Sequence, residues 1–328
     1  EVGKNRIDID KMSAADNSGE ALTGGYMWEI DDYAQKEAVW FTSNRGTKVT
    51  IHYPKDDSIT SAQRDYAKQY FNQMEAAVFA SNYSDATNGW RKFMDETTFL
   101  KHFLVGEMSG NTDTYWSVYQ YKLRNDPKVY TGPCWDFDLA FDNDNRTYHV
   151  CSKSDYVYRS GGSCTGAMRS FVDRVIVSDT NTKPALVRIW DDARHNGLTE
   201  EHLLAYTDSL AAALEESQRL NFMRWPMLTQ WVHMNPQVAG SYAGEVRVVK
   251  NYISDRIKWM DRKLGYTYVE RPEDYSSLDE TQATDGPMRI YNLQGWLIFE
   301  GNDLPLLPQG FYIIRRGQTT VKQYISHY

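Results

Sequence analysis

Cysteine is scarce: the 328 residues hold three, Cys134, Cys151 and Cys164. That is too few for a disulfide framework, and the spacing is too wide for a zinc site. Cys151 and Cys164 flank a polar, glycine-containing loop, where they either pair in an oxidising compartment or stay free thiols. Long apolar runs are missing too, since no stretch approaches the roughly eighteen residues of a membrane span. Positive charge is outnumbered. A net charge of -8 and a pI near 5.4 argue against binding a nucleic-acid backbone, which needs a basic face. The chain has no Walker-type loop, GxGxxG or GxSxG. Its seven histidines follow no HExxH or other metal spacing and read as structural or surface residues. No signal peptide opens the chain, which begins at Glu1 without Met. A leader or a longer N-terminal part is therefore expected to have been removed.

Aromatics are plentiful, at 14% with 10 Trp and 23 Tyr. They suit a large core, or else a surface that stacks on sugars or bases. The length allows one large domain or two smaller ones. The first sixty residues read as strands and turns, with "GGYMWEI" and "KVTIHYP" bounded by Gly or Pro. Tyr66, Tyr70, Met74 and Ala77/Val78 recur at helical spacing and predict a helix from Ser61 to Ala80. A second helix is predicted from Glu96 to Met108, capped by Asp95 and stopped at "SGN". "SVYQYKL" alternates, "RNDPK" turns, and an acidic apolar run follows, which together suggest a hairpin. Residues 142–166 read as a polar surface loop and 167–265 as helical. Thr199 is placed at a helix start, and Gly265 caps a last helix marked by Val246, Val249, Ile253, Ile257, Met260 and Leu264. The stretch 266–287 reads as a linker and 288–328 as β-hairpin material.

The acidic run, "GPCWDFDLAFDND", carries four aspartates, at 136, 138, 142 and 144. Trp135, Phe137, Leu139 and Phe141 alternate with Asp136, Asp138, Ala140 and Asp142, so a period of two predicts a strand with one apolar and one acidic face. Upstream, "GEMSGNTDTYW" puts Asn111 and Asp113 in a loop that one hairpin can bring beside that strand. Several chemistries fit this pattern. Aspartates beside Asn and Gly often serve as caps, Asx-turns or solvated surface. A loop Asp that accepts a hydroxyl proton and another that holds Mg²⁺ would serve phosphoryl transfer. A glycosidase pair is a further possibility, whereas an EF-hand calcium loop lacks its Gly and distant Glu.

"FLVGEMSGNTDTYWSVYQYK" followed by "VYTGPCWDFDLAFDN" resembles the central signature of the CotH kinase family, the spore-coat protein H-like atypical kinases. The resemblance continues in "GYMWEI", "NFMRWPML" and "AGSYAGEVRVVKNYISDRIKWMDRKLG" and covers about residues 1–265. It implies an α+β, degenerate protein-kinase-like fold over 1–265, with a small C-terminal β appendage. Asp113 matches the family's catalytic aspartate, and Asn111 stands in the same N-x-D loop, where it orients Asp113 or binds metal. Asp136 matches the metal-binding aspartate, with Asp138 as an additional Mg²⁺ ligand. The implied cofactors are Mg²⁺ and ATP, and the implied partner is a protein substrate with a Ser or Thr acceptor. In the family, a lobe bearing the nucleotide-contacting lysine precedes the stretch that "EVGKNRIDI" resembles. The N-terminal lobe is thus expected to be incomplete here, and ATP binding by these residues alone weak; Lys4, Lys11 and Lys48 are available cations, none marked by spacing as a substitute. "MRIYNLQGWLIFEG…LPQGFYIIRRGQTTVKQYI" resembles the C-terminal sorting domains of proteins exported by the type IX secretion system, which implies a secreted or cell-surface protein. The rival expectation is a non-catalytic surface module that binds glycan or protein, motivated by the abundant Trp and Tyr.

Overall fold

The computed structural model describes residues 7–146, 155–159, 167–270, 287–292, 296–305, 307, 310–317 and 319–325. Cys151, Cys164, Lys4, parts of the predicted 142–166 loop and most of the predicted linker lie outside them. The chain divides into two units, Glu1–Tyr268 and Val269–Tyr328. The first is mixed helix and sheet, as expected of an α+β fold.

A short helix, α1 (Gly19–Leu22), precedes strand β1 (Tyr26–Asp31), which is followed by β2 (Trp40–Thr42) and β3 (Lys48–Tyr53). With β4 (Ser117–Lys122) and β5 (Val129–Thr131) they form an antiparallel sheet in the order β2-β3-β1-β4-β5. The central strand β1 is buried along its whole length. Its alternation sorts Tyr26, Trp28 and Ile30 toward helix α2 (Ser61–Phe79), where Trp28 meets Phe71 edge-on at 6.1 Å. Glu29 and Asp31 face the other way. There Glu29 accepts from Ser117 and pairs with His52 at 2.6 Å, while Asp31 accepts from Thr50 at 3.1 Å.

The predicted helix at Ser61 forms, and its start carries a cap that the helical spacing did not mark. Thr60 accepts from the Gln63 amide at 3.2 Å and the Gln63 side chain accepts from the Thr60 amide at 3.1 Å, a reciprocal capping box. Thr60→Ala removes half of it and is expected to cost about 1 kcal/mol, read as a lower urea midpoint at unchanged slope.

Helix α3 (Glu96–Ser109) is capped by Asp95 and ends at Gly110 with φ 70°. A Cβ at Gly110 would also lie 2.4 Å from the Tyr252 hydroxyl, so glycine is needed there for space as well as for conformation. Helices α4 (Met168–Val172), α5 (Thr182–His195), α6 (Glu200–Ala213), α7 (Glu215–Arg224) and α8 (Tyr242–Leu264) follow. Thr199 and Gly265 cap α6 and α8 as predicted. On α8, Ile253, Ile257, Met260 and Leu264 are buried with Phe99, Phe103 and Met108 of α3 in one apolar cluster. The stretch between α7 and α8 is not helical, which narrows the predicted 167–265 helical region.

Within this cluster Glu107 of α3 and Arg256 of α8 form an ion pair at 2.8 Å with both side chains fully buried. Glu107 also accepts from the Tyr115 hydroxyl (2.6 Å) and the Val157 and Tyr158 amides (2.7 and 3.1 Å). Arg256 Nε donates to the Glu107 carbonyl at 2.8 Å, and Nη1 to the Asp155 carbonyl at 3.0 Å. So many partners are what a charge needs inside an apolar core.

The second unit is a four-stranded antiparallel sheet of β6 (Met288–Tyr291), β7 (Leu297–Gly301), β8 (Gly310–Arg316) and β9 (Thr319–Ile325), in the order β7-β6-β8-β9. Met288, Ile290, Leu307, Tyr312, Ile314 and Ile325 form its own small core.

Candidate active site

The predicted strand through the acidic run does not form. Pairing with β4 stops at Thr131, and the reason is local. Pro133 has no amide to give a ladder, Gly132 takes φ 135°, and Asp136 takes φ 59°. Two turns follow, closed by Ala140 N to Phe137 O (3.2 Å) and Asn143 N to Ala140 O (3.2 Å). The residues 132–146 are a compact loop, which we call the acidic loop.

The loop keeps part of the separation that the alternation distinguished, although Trp135 is left 44% exposed. Asp136 and Asp138 are exposed, whereas Phe137 and Phe141 line an apolar groove of about 820 Å³ with Val105 and Met108 of α3 and Leu203 and Leu210 of α6. A non-glycine residue in the left-handed region costs backbone energy and needs its surroundings to hold it. At Asp136 the holder is Asn111.

Asn111 is buried at the start of a 3₁₀ turn, Thr112–Tyr115, that follows α3. Its Oδ1 accepts from the Asp113 amide at 3.2 Å and its Nδ2 donates to the Asp136 carbonyl at 3.0 Å. One amide side chain thus fastens the backbones of two of the sequence-predicted site residues together. A second link is His102 of α3. Its Nε2 lies 3.2 Å from the Thr114 carbonyl, which can only accept, so Nε2 carries the proton and Nδ1 accepts from the Cys134 thiol at 3.6 Å. Burial pushes the His102 pKa down and favours this neutral form. The loop is also held by Trp135 Nε1 donating to the Ser117 carbonyl (3.4 Å) and by Phe141 N donating to Ser109 O (2.7 Å).

Three carboxylates converge. Partial desolvation, then a hydrogen bond and charge from Asp138, then the charge of Asp113, raise the Asp136 pKa above the ordinary aspartate value. Among the described residues no basic side chain pairs with Asp136 or Asp138. Burial raises the pKa of Asp113 as well, with Arg146 opposing and Asp144 and Asp138 adding to the rise. Asp138 thus acts on both, and the three acids lie within electrostatic reach of one another.

Sequence reading passed over two residues at this site, Asp144 and Arg146. Burial alone would raise the pKa of fully buried Asp144, but hydrogen bonds from Arg146 and Thr112 outweigh it and hold it low. Thr112 Oγ1 donates to Asp144 at 2.8 Å, and Arg146 donates from its amide, Nε and Nη2 at 2.8, 3.0 and 2.7 Å. Arg146 Nη2 also faces Asp113 Oδ1 at 3.3 Å. The available signal was that Arg146 is the first base after the acidic run.

Among the described residues no group of three or more His, Cys, Asp or Glu is arranged to enclose a metal ion. That geometry is not required of Mg²⁺, which keeps several waters and takes one or two carboxylates plus substrate phosphates. Asp136 and Asp138, two exposed acids of which Asp138 disfavours the charge on Asp136, fit that mode.

A family model described as CotH kinase protein matches residues 5–260. No curated protein and no solved structure matches the chain.

Proposed function

We propose, on the premise that the chain belongs to the CotH kinase family, that it transfers the γ-phosphoryl group of ATP to a Ser or Thr hydroxyl of a protein. The observation that carries this reading is the Asn111 clasp, which joins the peptide groups of Asp113 and Asp136. In the reaction the acceptor oxygen attacks the γ-phosphorus, the bond to the β,γ-bridging oxygen breaks, and ADP leaves with the electron pair. Asp113 receives the hydroxyl proton, and its raised pKa suits it to that role. Asp136 and Asp138 are the residues to hold Mg²⁺, which supplies charge neutralisation on the phosphate oxygens. The resemblance of residues 288–328 to an export sorting domain supports action outside the cell or at its surface. No described helix is long and apolar enough to cross a membrane.

A thermal-shift comparison tests the reading. At 5 mM Mg–ATP, even a weak dissociation constant of about 0.5 mM stabilises the native state by about 1.4 kcal/mol, or roughly 3 °C in Tm for a domain of this size. ATP without Mg²⁺ is expected to shift it less. Stabilisation by an oligosaccharide panel and none by Mg–ATP would instead favour a non-catalytic glycan-binding module.

A further inference from the structure

The phosphotransfer reading brings a highly anionic group into a basin already holding Asp113, Asp136 and Asp138. Mg²⁺ would offset part of that charge, and among the described residues the cation beside Asp113 is Arg146. Arg146 is held from behind by Asp144, a fully buried carboxylate that is itself fixed by Thr112. The distances show which partner positions the guanidinium. Its Nη2 is 2.7 Å from Asp144 and 3.3 Å from Asp113, and a charge-assisted N–H···O bond at full strength is about 2.7–2.9 Å. The cation therefore belongs to Asp144 and only leans on Asp113. If Asp113 turns to a substrate hydroxyl, Arg146 has no reason to follow.

Thr112, the neighbour of Asp113, connects the two halves of this arrangement. The turn that presents the base also anchors the carboxylate that seats the cation, so base and cation are fixed in one frame. Asp144 is saturated by donors that depend on no ligand, which keeps the guanidinium in place before substrate arrives. Preorganised charge of that kind stabilises a transition state because it costs no reorganisation when the reaction occurs. We infer that Arg146 is a catalytic residue of this site, donating hydrogen bonds to the phosphoryl group as it passes from ATP to the acceptor hydroxyl that Asp113 deprotonates. The inference rests on the phosphotransfer reading and adds to it a cation that neither the family match nor the acidic motif assigns. Arg146 gains and loses no covalent bond; the proton still goes to Asp113 and the leaving electron pair to ADP.

The test uses the whole chain as wild type, Arg146→Gln and Arg146→Lys. Phosphate incorporation into casein from labelled ATP is measured beside calorimetric binding of Mg–ADP and of Mg–ADP–aluminium fluoride, whose fluoride group mimics the transferring phosphoryl. In Arg146→Gln we expect about a 100-fold fall in kcat, a comparable weakening of the fluoride complex, and less than a 2-fold change for Mg–ADP. Arg146→Lys recovers part of both losses. A merely structural arginine would weaken Mg–ADP and the fluoride complex equally, and that result overturns the inference, as does incorporation by Arg146→Gln within 3-fold of wild type. Should Arg146→Gln not fold, Arg146→Lys decides: selective loss of the fluoride complex supports the inference, and no loss or equal loss overturns it. A wild type that neither binds Mg–ADP nor incorporates phosphate defeats the phosphotransfer reading and the inference together. An active wild type with an active Arg146→Gln removes only the inference.

Discussion

Asp113→Asn and Asp136→Ala are each expected to reduce labelled-phosphate incorporation to background in a protein that still folds. For Asp113 the loss expected of a general base is about 10²- to 10⁴-fold, and the asparagine keeps the shape while giving up the proton-accepting oxygen. For Asp136 the loss follows from the proposed metal seat, so added Mg²⁺ should recover part of the rate in Asp136→Ala and none in Asp113→Asn. Neither change removes apolar packing. Asp136 is exposed, and replacing it relieves the repulsion from Asp138 and Asp113 that raises its pKa. The melting temperature should therefore hold or rise slightly. Wild-type-like incorporation by either variant disposes of the assignment of that residue.

The second large effect concerns stability. Glu107→Gln and Arg256→Met each break a pair that is fully buried on both sides, which typically costs about 3–5 kcal/mol because one charge stays behind without its partner. Against a net stability of about 5–15 kcal/mol, either variant should show a large drop in urea midpoint. The two should differ in pH response. Burial raises the Glu107 pKa above the ordinary glutamate value even with Arg256 opposing it, and removing Arg256 raises it further. A carboxyl whose folded pKa lies above its unfolded one binds more protons in the native state. The stability of Arg256→Met is therefore greatest below the unfolded glutamate pKa and falls as pH rises toward the folded one. Glu107→Gln leaves a permanently charged arginine and should lack that dependence. Denaturation curves at pH 5 and pH 8 check both, and parallel behaviour of the two variants would contradict this account of the pair.

Much of this architecture was legible because helices declare themselves locally. Asp95, Thr199 and Gly265 are capping signals that need no knowledge of the rest of the chain. The i, i+3, i+4 stripe of α8 needs only the existence of a core. Asn111 and Asp113 were placed after a helix end, and there they are. The acidic loop defeated the same logic. Alternation marks residues that face two environments, and a strand is only one way to arrange that; a loop reversing at Asp136 and again near Ala140 achieves part of it, with Phe137 and Phe141 turned to the groove and Trp135 left exposed. Pro133 was the clue against a ladder, and the period outweighed it. Asp144 and Arg146 were missed for a different reason. Four aspartates in one run look interchangeable by composition, and only the fold reveals that one of them is buried against Thr112 while two others reach water.

The acidic loop is fastened to Ser117, Asn111, His102 and Ser109 among other partners, none of them through the side chain of Asp136 or Asp138. Asp136 and Asp138 look outward. An ion held by those two exposed carboxylates would exchange directly with solvent. Occupancy would then track the surrounding medium, with the bathing solution as reservoir. On the proposed phosphotransfer reading, incorporation should then follow the magnesium concentration of the assay buffer.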